Sequence, residues 1–246
     1  MSRARTSQAA RHFVPGALPL DEPGGSLSCL LLAPAPDWVA IDLYSGALVR
    51  GALDADSAPD ALFGGPLAPV ALQLGPVSDP WDPSRPEAVA IVGATDGSAP
   101  RARGTRRLLA QVSTPGDERG VLGTLGPSLA FSDLEGSRPS VVLLSPAAGR
   151  VRLIGDASLT AHFVIGERSH SLPAAPGVAA WLRDGHVPNA TTRARGRKRG
   201  RSMKSAAGRP LGPGIEPAIP VLLVVGLDRP MRGQVRKVLL GLVPAS

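Results

Sequence analysis

The sequence is poor in the residues that ordinarily cross-link or anchor a fold. It has one cysteine, Cys29, in 246 residues, so no intramolecular disulfide can form. A reducing compartment is the natural expectation, and the protein is expected to be cytoplasmic. Aromatic residues are only 3 % of the chain. A core must therefore be built from Val, Leu, Ile and Ala, each buried aliphatic side chain contributing roughly 1.5–3 kcal/mol. Lysine occurs only at Lys198, Lys204 and Lys237; every other cationic side chain is Arg. Long apolar runs are also missing. The longest late one, "IPVLLVVGL" (219–227), is far below the ~20 residues of a membrane span. The N-terminal arginines Arg3, Arg5 and Arg11 are followed by "HFVPGALPLDEPGG", whose prolines and acids disqualify it as the apolar core of a signal peptide. A soluble protein without membrane contact is expected.

Local catalytic and ligand motifs are lacking too. There is no G-x-S-x-G, no G-x-x-x-x-G-K-[ST] and no G-x-G-x-x-G. The four histidines, His12, His162, His170 and His186, have no metal-ligand spacing, and a zinc site needs three or four converging ligands. No metal, cofactor or catalytic residue is therefore expected. Cys29 sits in an apolar run, "SLSCLLLA", where a thiol serves as a small core side chain. The acid pairs Asp79/Asp82 and Asp117/Glu118 fall in loop-like stretches and read as solvated. Trp38, Trp81 and Trp181 read as core anchors, Trp81 alone having the alternative of an exposed contact between prolines.

Turn-forming residues are abundant. Gly 29 and Pro 26 imply short elements and many turns, since Pro removes a backbone donor and Gly loosens the chain. Apolar runs of strand length recur: "SLSCLLLA", "APVALQLG" (68–75), "AVAIVG" (88–93), "LLAQV", "SLAF" (128–131), "LTAHFVIGE" (159–167) and "AIPVLLVVGL". The last is apolar on both faces, hence interior to a sheet. "DWVAIDLYSGALVRGAL" reads as a hairpin across Ser45 and Gly46. Asp42 and Arg50 are outward-facing in it if Ile41, Leu43 and Val49 face a core. "RPSVVLLSPAAGRVRLIGD" repeats that hairpin grammar. "DGSAPRARGTRR" reads as a loop with a basic cluster at Arg101, Arg103, Arg106 and Arg107. "APGVAAWLRDG" (175–185) suits a short helix. "DRPMRGQVRKVLLGLV" suits a C-terminal one, with Met231, Val235, Val238, Leu239 and Leu242 on one stripe.

The fold class expected is thus mainly β, a sandwich or partly open barrel of about ten short strands with a short C-terminal helix; α+β is the alternative. Residues 1–25 read as an irregular leader. Residues 26–246 read as a single β-rich domain interrupted by a basic flexible loop at 188–214.

Charge is distributed unevenly. Residues 12–192 carry twelve basic and eighteen acidic side chains. Within 193–209 stand Arg193, Arg195, Arg197, Lys198, Arg199, Arg201, Lys204 and Arg209, with no acid. That density resembles phosphates along a nucleic-acid strand, and Arg offers bidentate contact with phosphate oxygens. The run contains no aromatic residue, so base stacking is not indicated. The expected function is a non-enzymatic binding module that contacts a polyanion, nucleic acid foremost, non-specifically through this run. The alternative is a protein–protein adaptor or scaffold in which the run is a solvated linker.

Overall fold

The computed structural model describes residues 25–51, 58–75, 85–114, 120–134, 139–146, 151–155, 158–186 and 214–245. In chain order these form β1 (Ser26–Ala33), β2 (Val39–Asp42), β3 (Leu48–Arg50), β4 (Pro69–Leu74), β5 (Ile91–Asp96), α1 (Ala102–Val112), β6 (Ser128–Ala130), β7 (Val141–Leu144), β8 (Val151–Ile154), β9 (Thr160–Ile165), β10 (Arg168–Pro173), α2 (Pro176–Arg183), β11 (Val221–Leu227) and β12 (Gln234–Pro244). The strands make three sheets, ordered β3-β2-β1-β4-β5, β6-β12-β11-β7 and β10-β9-β8. Every ladder within them is antiparallel. The chain is mainly β, as its breaker-rich, short-run sequence implies.

The four-stranded sheet is the middle layer, and β11 shows why. All seven of its residues, VLLVVGL, are buried. Leu222 and Val224 join a core with Leu30, Leu32, Val39 and Ile41 of the five-stranded sheet. Val221, Leu223 and Val225 join the opposite core, with Leu153, Ala161, Phe163 and Leu172 of the three-stranded sheet and Val178 and Leu182 of α2. A strand covered on both faces has no use for polar alternation, which is what its unbroken apolar run states. The far face of the five-stranded sheet is closed by Trp38 and Trp181, packed with Leu31, Ala40 and Leu72; the Trp181 indole N–H donates to the Gly64 carbonyl at 2.9 Å.

Hairpin β2–β3 forms where expected. Asp42 Oδ2 accepts from the Ser45 N–H at 2.8 Å and from Ser45 Oγ at 2.6 Å, and Gly46 takes the positive φ of +73° that the turn requires. The turn rests on α1: a Cβ at Gly46 would lie 3.4 Å from Leu108 and 3.7 Å from Val112. The expected strands over 68–75, 128–131 and 159–167 and the helix over 175–185 are β4, β6, β9 and α2.

Four local expectations are corrected. The segment 228–243, expected to be a C-terminal helix, holds β12. A bulge at Leu240 explains the error: Val225 pairs with Leu239 but Val224 pairs with Gly241, so side-chain parity flips there. Val238 and Leu240 face one core and Leu239 and Leu242 the other, a two-sided pattern that imitates helical spacing. Residues 102–112, expected as loop and then strand, are α1, because Leu108, Leu109 and Val112 dock together on the core beneath the five-stranded sheet. The second expected hairpin does not form. β7 pairs with β11 and β8 with β9, since β7 is covered on both faces whereas β8 alternates buried and exposed. Finally, Asp42 and Arg50, expected outward, are 3 % and 1 % exposed.

At the bulge, β12 passes so close to β1 that a Cβ on Gly241 would lie 2.1 Å from the Leu32 carbonyl oxygen. Gly241→Ala is expected to lower stability by about 1–3 kcal/mol or more by forcing the two backbones apart. Gly104→Ala, inside α1 with nothing within 4 Å of the added methyl, is expected to raise it by about 0.5–1 kcal/mol. Urea unfolding midpoints of the two variants check both signs.

Candidate functional site

Two groupings of charged side chains stand out, one sealed inside and one on the surface. The inner one begins with Arg50 at the end of β3. Its backbone N–H donates to the Glu87 carbonyl at 3.0 Å, and its own carbonyl accepts from the Val89 N–H at 3.0 Å. The chain at 87–89 is thereby held alongside β3, and the Glu87 side chain is carried inward, 2 % exposed. Arg50 Nη1 donates to the Leu227 carbonyl at 3.0 Å, to Ser140 Oγ at 3.3 Å and to the Ser140 carbonyl at 3.5 Å. Ser140 in turn donates its backbone N–H to Glu87 Oε1 at 2.7 Å and its hydroxyl to Glu87 Oε2. Arg85, almost as buried, lies 3.6 Å from Asp37.

The result is a serine-bridged ion pair linking the end of β3, the residue before β7 and the end of β11, and so the five-stranded sheet to the middle one. Burial pushes the Glu87 carboxyl up, against the two hydrogen bonds from Ser140 that favour its charged form. Burial, then the neighbouring Arg85, bring the Arg50 guanidinium down to about 10, with Glu87 opposing. Both Glu87 oxygens accept from Ser140 while Arg50 donates to the same residue, the hydrogen-bonding pattern of a carboxylate facing a guanidinium. Arg50 Nε, Arg85 Nε and Arg85 Nη2 have no hydrogen-bond partner among the described residues. The group's geometry is that of a fastener between layers: its hydroxyl is engaged on both sides, by Arg50 as donor and Glu87 as acceptor.

Lys237 of β12 is a second buried cation, 1 % exposed. Its Nζ donates to the Thr124 carbonyl at 2.6 Å, and burial brings it down to about 8. It bears on His170, which stacks on Phe163 with ring centroids 5.4 Å apart. His170 is held below its ordinary value by burial first, then by Lys237 and Arg168. Cys29 is buried as expected, its thiol pushed up to about 12 by burial and by Asp42. Among the described residues no group of three or more His, Cys, Asp or Glu is placed to hold a metal ion. No helix there is long and apolar enough to cross a membrane.

The surface grouping is on α1. Arg103, Arg106 and Arg107 are exposed, as is Arg101 at the residue before the helix, and the helix contains no acid. The two ion pairs among the described residues, Arg85–Asp37 and Arg152–Glu216, do not involve them. The sequence showed this cluster; only the helix aligns it. Arg193, Arg195, Arg197, Lys198, Arg199, Arg201, Lys204 and Arg209 lie outside the described residues, as do Trp81 and the acid pairs Asp79/Asp82 and Asp117/Glu118. The Arg50–Ser140–Glu87 group was missed because its members are distant in sequence. The one local signal was a charged Arg ending a strand whose other residues are apolar. Comparison with protein-family models, curated proteins and solved structures finds no match.

Glu87→Gln leaves Arg50 as a buried cation without its counter-charge and is expected to cost about 3–5 kcal/mol; adding Arg50→Met should recover part of that loss, a coupling readable in a double-mutant cycle. Lys237 gives a pH signature. Its folded value, about 8, lies below that of a free lysine, so its contribution to stability is present above ~10.4 and is lost as pH falls through about 8. Raising the pH from 7 to 10 should therefore stabilise the wild type over Lys237→Met by about 1–3 kcal/mol. The NMR titration of His170 should move upward in that variant.

Proposed function

We propose that the protein is a non-enzymatic binding module that holds nucleic acid, independently of base sequence, through the basic run Arg193–Arg209. The observation that carries this reading is the separation of charge along the chain. Eight cations and no acid fall within 193–209, whereas residues 12–192 have more acids than bases. The buried cations of the described part are engaged within the fold, Arg50 with Ser140 and through it Glu87, Arg85 with Asp37, and Lys237 with the Thr124 carbonyl. The basic run has no acidic sequence neighbours to do the same. A phosphate backbone supplies the matching charge density, and the release of its counterions supplies the free energy. Six of the eight cations are Arg, the side chain suited to two-pronged phosphate contact. The absence of aromatic residues from the run argues for backbone contact without base stacking.

The test is binding of the full chain to mixed-sequence duplex DNA between 50 and 200 mM salt, with and without the eight basic residues changed to Gln or Ser. Six engaged phosphates give a slope near −5 for log affinity against log salt, and the neutralised chain is expected to lose most of it. Equal binding by the two chains overturns the proposal, and so does failure of the wild type to bind.

A further inference from the structure

We infer that the exposed face of α1 bearing Arg103, Arg106 and Arg107 is a docking surface of the folded domain for the phosphate backbone of nucleic acid. The inference rests on the nucleic-acid reading above, but not on the basic run.

At about 100° per residue, Arg103, Arg106 and Arg107 fall within an arc of about 100°, and the inward-facing Leu108, Leu109 and Val112 lie on the opposite side. Anchoring those three in the core therefore fixes the arginine face outward. Neighbours three and four apart on a helix stand ~5–6 Å from one another. From Arg103 to Arg107 the helix rises ~6 Å, a distance over which one strand of duplex nucleic acid presents about two phosphates at ~3.4 Å of axis each. Three long guanidinium side chains can thus engage about two to three successive phosphates of that strand.

The same arrangement gives the isolated fold nothing. Arg103 repels Arg106 and Arg107, each such pair costing a helix ~0.2–0.5 kcal/mol. The first turn holds no acid, and Arg103 stands at the end of the helix dipole that disfavours cations. Neither ion pair among the described residues relieves them. An anionic partner outside the fold removes all of these penalties together. An anionic membrane is the poorer fit, because a helix lying on a bilayer inserts its apolar face, and the apolar side chains of α1 are already committed to the core. The outward face otherwise offers Ala110 and Gln111, both exposed.

The experiment uses the full chain, mixed-sequence duplex DNA as probe, and fluorescence anisotropy from 50 to 200 mM salt. In Arg103→Gln/Arg106→Gln/Arg107→Gln the salt slope is expected to become shallower by roughly 2–3, each lost contact removing ~0.9. The melting temperature should be equal to or above that of the wild type, because repulsion has been relieved. The corresponding triple change to Lys keeps the charge and should keep the slope. In the chain whose basic run is neutralised, residual binding with a slope of roughly −2 to −3 should persist and vanish when the α1 changes are added. An unchanged slope in the triple Gln variant overturns the inference, and if the run-neutralised chain alone loses binding, the reading of the run survives it. Absence of binding by the unaltered chain overturns both. Tighter retention on vesicles of anionic phospholipid than on the duplex overturns the choice of partner.

Discussion

The architecture depends on the burial of both faces of the β11–β12 ladder. β11 contributes side chains alternately to two cores, and β12 does the same across its bulge. A sheet with only one apolar face needs one covering layer; this one needs two. The five-stranded sheet with α1 supplies the first, and the three-stranded sheet with α2 the second. Because aromatic residues are scarce, the contact is made by many aliphatic side chains of similar size, which fill space when backbones approach closely. The meeting of Gly241 with the Leu32 carbonyl is the tightest expression of that requirement.

Bringing two sheets together at their strand ends also buries polar backbone. The Leu227 carbonyl at the end of β11 and the N–H of Ser140 before β7 find their partners in the side chains of Arg50 and Glu87. The Arg50–Ser140–Glu87 group is then a consequence of the layering: it satisfies groups that would otherwise be desolvated and unpaired. The pair divides the work, the guanidinium donating to the Leu227 carbonyl and the carboxyl group accepting from the Ser140 N–H. Lys237, donating to the Thr124 carbonyl, solves a similar problem singly, and burial lowers its affinity for the proton accordingly.

Positive charge divides along the same lines. Arg50, Arg85 and Lys237 are spent inside the fold, on carbonyls and carboxylates. The arginines of α1 project from it, and those of 193–209 belong to a stretch without acids. A single net charge for the whole chain, +7, conceals that division between structural cations and cations available to an outside partner.

The sequence alone determined the β-rich class, the β2–β3 hairpin, the interior position of β11 and the helix α2. Each of these follows from a local signal: frequent breakers, a Ser-Gly turn between β-favouring runs, an apolar run without alternation, and Pro176 followed by a short apolar stretch. Local signals failed where two-sided burial governs the pattern. Val235, Val238, Leu239 and Leu242 have helical spacing, yet the bulge at Leu240 distributes them over two faces of a strand. Arg103, Arg106 and Arg107 have helical spacing too, and there a helix forms, because Leu108, Leu109 and Val112 have a core to meet on one side only. The tertiary structure decided between these cases, and it decided which β7 and β8 neighbours pair and where Asp42 and Arg50 point. The physical reason is that a side-chain period records how many faces of an element lose water, and that number is set by the layers packed around it.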